Sequence, residues 1–178
     1  MGVDIGYLLS VLIVKATLPL KWSDFGLRKP AVKIWVVIGF VLAGLVLPII
    51  TGYVWAYLSG LSYDIQIFVD AVKSLKLLWV ILFMMVVVII SPIIEEIFFR
   101  GMIFSTLTEV SGIKIGLILQ AILWAVIDSD ISALPIRFVS GLVLAYVYYR
   151  SKSLLPSIVI HSLLNIVTFG ATMMPSVG

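Results

Sequence analysis

The sequence predicts an all-α fold, a polytopic transmembrane helix bundle of about six spans with a long kinked third helix, and three observations predict it. The chain of 178 residues is 62% hydrophobic and 12% charged, with a mean hydropathy of +1.24, far from the balance of a soluble domain. Apolar runs long enough to cross a hydrocarbon core of roughly 30 Å recur along the whole chain. Lysine and arginine collect mainly in the connections between those runs. In lipid every backbone N–H and C=O needs an internal partner, so each run reads as a helix. A single transmembrane domain over 1–178 follows, with no stretch left for a soluble one.

The first run, about 3–20, holds Asp4 and Lys15 and lacks a basic leading region, so it reads as a retained helix and not a cleaved signal. The connection from Lys21 to Lys33, punctuated by Gly26 and Pro30, leads into the second run, about 34–58. The third run, 77–108, would be about 48 Å long as one helix, so it must tilt, break or kink. Pro92 is the expected kink, freeing the carbonyl of Val88 four residues upstream. Ser111-Gly112 marks the turn into the fourth run, about 113–129. Arg150 to Ser153 joins the fifth, about 131–149, to the sixth, about 154–172. Lys21, Arg28, Lys29, Lys33, Arg150 and Lys152 mark one side as cytoplasmic, which places both ends of the sequence on the other. Trp55, Tyr57, Trp79, Tyr148 and Tyr149 fit interfacial anchors, and Gly141 with Ala145 fits close helix packing.

Composition also excludes chemistry. Without cysteine there are no disulfides and no thiolate nucleophile or ligand. One histidine, His161, rules out any metal site that needs two from the same chain. The pI of about 9.2 comes from basic residues at helix ends, where they set topology, so no nucleic-acid partner is expected.

Against this background "IIEEIFFRG" places Glu95, Glu96 and Arg100 inside the longest apolar run. Ionisable groups there usually face a bundle interior and mark function. Glu96 and Arg100, spaced i,i+4, can pair on one helix face, while Glu95 points about 100° away without that partner. Either Glu96 and Arg100 form a clamp that leaves Glu95 as a free carboxylate, or all three join two helices as a salt-bridge cluster. His161 and Asn165, in "IHSLLN", share a face in the same way. They can serve a reaction, or simply glue helices together. Glu95 and Asp128 lie equally far from Ser111-Gly112, so an antiparallel pair brings them to one depth. Two such carboxylates cannot both ionise cheaply and would share a proton or a cation. Arg137 offers a competing account, in which it neutralises Asp128 or Asp130. The depth of His161, about 10 Å into its helix from Leu154, requires helix tilt to reach Glu95.

With those residues in place, the chain resembles the CAAX-protease and bacteriocin-processing family, also called Abi proteins, of type II CAAX prenyl endopeptidase relatives. "SPIIEEIFFRG" is similar to the family's E-E-x-x-x-R motif and "IHSLLN" to its H-x-x-x-N motif, within a resemblance that covers about residues 88–168. "FGLRKP" is similar to a common early segment of the family. The resemblance implies a multi-pass intramembrane peptidase of the cell membrane acting on a peptide or protein substrate at the bilayer. It implies that Glu95 activates water, that Glu96 and Arg100 support the site, and that His161 and Asn165 assist or hold the oxyanion. One departure stands out: in "WAVID", Trp124 takes the aromatic place of the family's F-x-x-x-H motif and Asp128 the place of its histidine. Three outcomes are open: a divalent metal such as zinc held by Glu95, Asp128 and His161, a metal-free peptidase, or an inactive relative. The inactive relative would be a membrane interaction, immunity or regulatory protein, and a small cation transporter is a third class.

Overall fold

In the computed structural model of the protein, residues 2–60, 72, 74–127 and 131–173 are described. They form helices without a strand: α1 (Gly2–Thr17), α2 (Ile34–Ser59), α3 (Leu77–Met85), a π-helical segment π1 (Val86–Ile90), α4 (Ser91–Glu96) and a second, π2 (Ile97–Phe104). They continue as α5 (Ser105–Val126), a 3-10 turn (Ile131–Ala133), α6 (Leu134–Ser151) and α7 (Leu154–Met173). Ile34–Ser59, Leu77–Val126 and Ile131–Ser151 are long and apolar enough to cross a membrane, and Leu154–Gly170 is a shorter apolar helix. The 50 residues of Leu77–Val126 would measure about 75 Å if straight, more than two bilayer cores. They turn back at Gly112, whose φ of 79° and ψ of 165° leave the helical region, as the Ser111-Gly112 signal predicts.

The burial pattern is that of a protein dissolved in lipid. Trp35, Tyr57 and Leu77 on the outside are 70%, 88% and 75% exposed, whereas Glu96 and Arg100 are fully buried. Apolar surface costs nothing against hydrocarbon chains, so the interior is free to hold the polar groups. The protein is a multi-pass membrane protein.

The long third run changes its winding around Pro92. Two π-helical segments bracket the α-helical turn Ser91–Glu96. In π1 the N–H of Ser91 reaches back five residues to the carbonyl of Val86. The next donor would be Pro92, which has none, and the carbonyl five residues behind it is Val87, not the expected Val88. That oxygen is not left bare: Asn165 Nδ2, on α7, donates to it at 2.8 Å.

Close backbone approaches set how the other helices meet this one. A Cβ on Gly141 would stand 3.0 Å from Ala121 Cα, so the expected small-residue packing joins α6 to α5. Ser157 Oγ on α7 donates to the carbonyl of Leu144 on α6 at 3.0 Å. At the basic end the first and last connections are tied together. The N–H of Ala31 donates to Ser151 O at 2.7 Å, that of Leu154 to Gly26 O at 2.9 Å, and Arg28 Nε to Lys152 O at 2.6 Å. Ser153 Oγ closes the tie by donating to the carbonyl of Arg28. Gly26, in "FGLRKP", needs its φ of 94° and lies against the ring of Tyr148. α1 leans on the aromatic pair of the charged motif, with Tyr7 stacked on Phe98 at 4.5 Å and edge-on to Phe99 at 5.3 Å.

Candidate active site

Glu96 and Arg100 form the expected i,i+4 pair, with Arg100 Nη1 donating to Glu96 Oε1 at 2.8 Å and both side chains fully buried. The guanidinium lies over Trp124, its central carbon 4.3 Å from the ring centroid, so the ring face receives the charge that one carboxylate leaves. Trp124 also meets His161 edge-on at 5.2 Å and Phe99 at 4.8 Å. It thus fixes both the cation and the imidazole.

His161 stands between the two glutamates. Its Nδ1 is 3.1 Å from Glu96 Oε1, and its Nε2 is 4.0 Å from Glu95 Oε2. Glu96 Oε1, the oxygen that accepts from Arg100, is thus also the partner of His161 Nδ1. Nε2 is the ring nitrogen that faces Glu95. The two side chains therefore do reach one depth, as the site requires. Asn165, one turn further along α7, serves the Val87 carbonyl through one N–H and keeps a second.

Glu95 does point away from Arg100, and its surroundings contain two residues that the sequence did not assign. Ser91 Oγ is 2.7 Å from Glu95 Oε1, and the same oxygen is 2.7 Å from Asp4 Oδ1 on α1. Ser91 was legible in principle, sitting i,i+4 before Glu95 in a helical turn. In the sequence Asp4 is only a charge at the start of the first apolar run. A cavity of about 280 Å³ opens over Glu95. Asp4, Ser91 and Arg137 supply its other polar groups, and Tyr7, Phe83, Val86, Val87, Trp124 and Ile127 its walls.

Asp128 and Asp130 lie outside the described residues, and with them the expected meeting of Asp128 with Glu95 and its neutralisation by Arg137. Among the described residues no three carboxylate or imidazole side chains converge as a metal centre. Glu95 Oε2 and His161 Nε2 are two facing donors, and Nδ1 of the ring is engaged with Glu96.

A family model described as type II CAAX prenyl endopeptidase Rce1-like matches residues 77–167. The match starts at the first residue of α3 and takes in Glu95, Glu96, Arg100, Asp128, His161 and Asn165. YdiL of Bacillus subtilis (strain 168), named as a candidate membrane peptidase, is 26% identical over 167 residues, covering 90% of this chain and 66% of its own length. No solved structure matches.

Proposed function

The chain belongs to the Rce1-like family of type II CAAX prenyl endopeptidases, and on that premise we propose that it is an intramembrane peptidase in which Glu95 is the base that activates water. The observation that carries this reading is the 4.0 Å separation of Glu95 Oε2 from His161 Nε2. It is too long for a hydrogen bond, but an oxygen placed between the two lies about 2.8 Å from each. Both atoms are acceptors, so a water there donates one hydrogen to each and turns its lone pairs outward, toward a substrate carbonyl carbon.

The reaction then balances with one residue moving the proton. The water oxygen bonds to the carbonyl carbon, its proton passes to Glu95 Oε2, and the carbonyl electron pair moves onto its oxygen. When the tetrahedral intermediate collapses, the C–N bond breaks and the leaving amine takes that proton from Glu95. Glu96, fixed by Arg100, keeps His161 in the tautomer that accepts at Nε2. The second N–H of Asn165 is the donor assigned to the developing oxyanion. Asp128 directly follows Ile127, which lines the cavity, and is assigned to the same site as a further acceptor. The apolar walls suit a substrate segment that arrives through the bilayer, near whose face the bond is cut, and they keep bulk water from the intermediate. The helices that carry these residues are assigned to one transmembrane unit spanning 1–178.

The test uses wild-type protein and Glu95→Gln, purified in detergent and incubated with a library of membrane-proximal peptides read by mass spectrometry. Cleavage by the wild type alone supports the assignment. Undiminished cleavage by a folded Glu95→Gln protein removes Glu95 from the role of base.

A further inference from the structure

Glu95 divides its two oxygens between different neighbours. Oε2 faces His161 Nε2, and Oε1 rests 2.7 Å from Ser91 Oγ. Ser91 Oγ is itself 2.7 Å from Asp4 Oδ1, a contact that spans 87 residues of sequence. The cluster therefore continues past the catalytic pair: Arg100, Glu96, His161, Glu95, Ser91 and Asp4 follow one another across three helices and π2. The widest step in that series is the 4.0 Å one assigned above to the reacting water.

A glutamate carboxylate on a lone side chain has three torsions free to turn its oxygens away, and a near-attack geometry does not survive that freedom. Ser91 alone would not remove it, because a serine hydroxyl rotates about its own bond. Asp4 supplies the missing constraint. It approaches from α1, and α1 is itself seated by the stacking of Tyr7 on Phe98. Oγ has one hydrogen, so its contacts with both carboxyl groups at 2.7 Å are satisfied together when Asp4 and Glu95 share one further proton, and Asp4 gives that proton a seat away from the ionised Glu95. α1 lies outside the residues matched by the family model.

We infer that Asp4 is a positioning residue of this site, acting through Ser91 to hold Glu95 Oε1 so that Oε2 stays directed at His161 Nε2. The inference rests on Glu95 as the base, and one arm of its test is independent of that reading. The variants are Asp4→Leu and Ser91→Ala, which break the link, and Asp4→Asn and Ser91→Thr, which keep a polar atom at each position.

His161 is the only histidine of the chain, so protein labelled with ¹⁵N-histidine and purified without a histidine tag reports just its two ring nitrogens. In Asp4→Leu and Ser91→Ala the Nε2 resonance should shift while Nδ1, on Glu96, stays in place, and the conservative pair should restore the wild-type value. Cleavage assays on the same proteins should show kcat lower by about 10²-fold in the first pair with KM unchanged, and recovery in the second. An Nε2 resonance indifferent to Asp4→Leu overturns the inference, as does unchanged kcat in an active enzyme. A shifted Nε2 in a protein that cleaves nothing keeps the positioning link and removes the peptidase reading instead.

Discussion

Asn165 Nδ2 donates at 2.8 Å to the carbonyl oxygen of Val87, the acceptor that Pro92 leaves without a π-helical donor. A helix flaw in one span is thus repaired by a side chain from another, and both belong to the motif-bearing helices. Replacing Asn165 by Leu leaves a carbonyl unsatisfied in lipid and should lower stability by about 1–3 kcal/mol. Adding Pro92→Ala returns a backbone N–H to the helix, so the double variant should be more stable than Asn165→Leu alone. Unfolding in mixed micelles measures both, and equal stability of the two would show that the contact is incidental.

Glu95→Gln should keep the fold and lose the reaction. The amide still accepts from Ser91 at Oε1, yet it cannot take a proton from water. Cleavage should fall by about 10²–10⁴-fold, the usual worth of a general base, with an unfolding midpoint close to wild type.

Arg100→Leu should behave in the opposite way, as a stability lesion first. It strands Glu96 in a fully buried position, and removing one partner of a buried ion pair costs about 3–5 kcal/mol. Arg100→Lys restores the charge but not the planar guanidinium over Trp124, so it should recover only part of the loss. Thermal melts of both proteins separate the two contributions.

Gly101→Ala should destabilise the protein by about 1–3 kcal/mol. Its Cβ would sit 2.7 Å from the backbone oxygen of Phe25, an atom that cannot swing aside. Gly39→Ala in α2 meets nothing within 4 Å and should be neutral or stabilising by up to about 1 kcal/mol. Paired melts distinguish crowding from a general effect of alanine.

What the sequence made legible was local. The Glu96–Arg100 pair and the shared face of His161 and Asn165 follow from i,i+4 spacing, and the Gly112 turn follows from a glycine among apolar runs. The π winding around Ser91–Glu96 has no such signature, because it is a choice of backbone pairing and not of residue type. That is why the freed carbonyl was assigned one residue too far along. Asp4 escaped for another reason: its partner is 87 residues away, and the amphipathic pattern of one helix does not say which other helix it meets. The stagger that brings His161 to Glu95 is likewise a property of the assembled bundle.

The tie between the first and last connections, with Arg28 and Lys152 124 residues apart, can close only after both have been made. A chain made from its amino end produces Glu95 and Glu96 before α7. At that moment the imidazole 65 residues downstream does not yet exist for Glu96, and its ready partner is Arg100, four residues on. The local pair is therefore the escort that lets a carboxylate enter lipid early. The imidazole that faces Glu95 arrives only with the last helix, so a half-made chain carries the ion pair without the histidine.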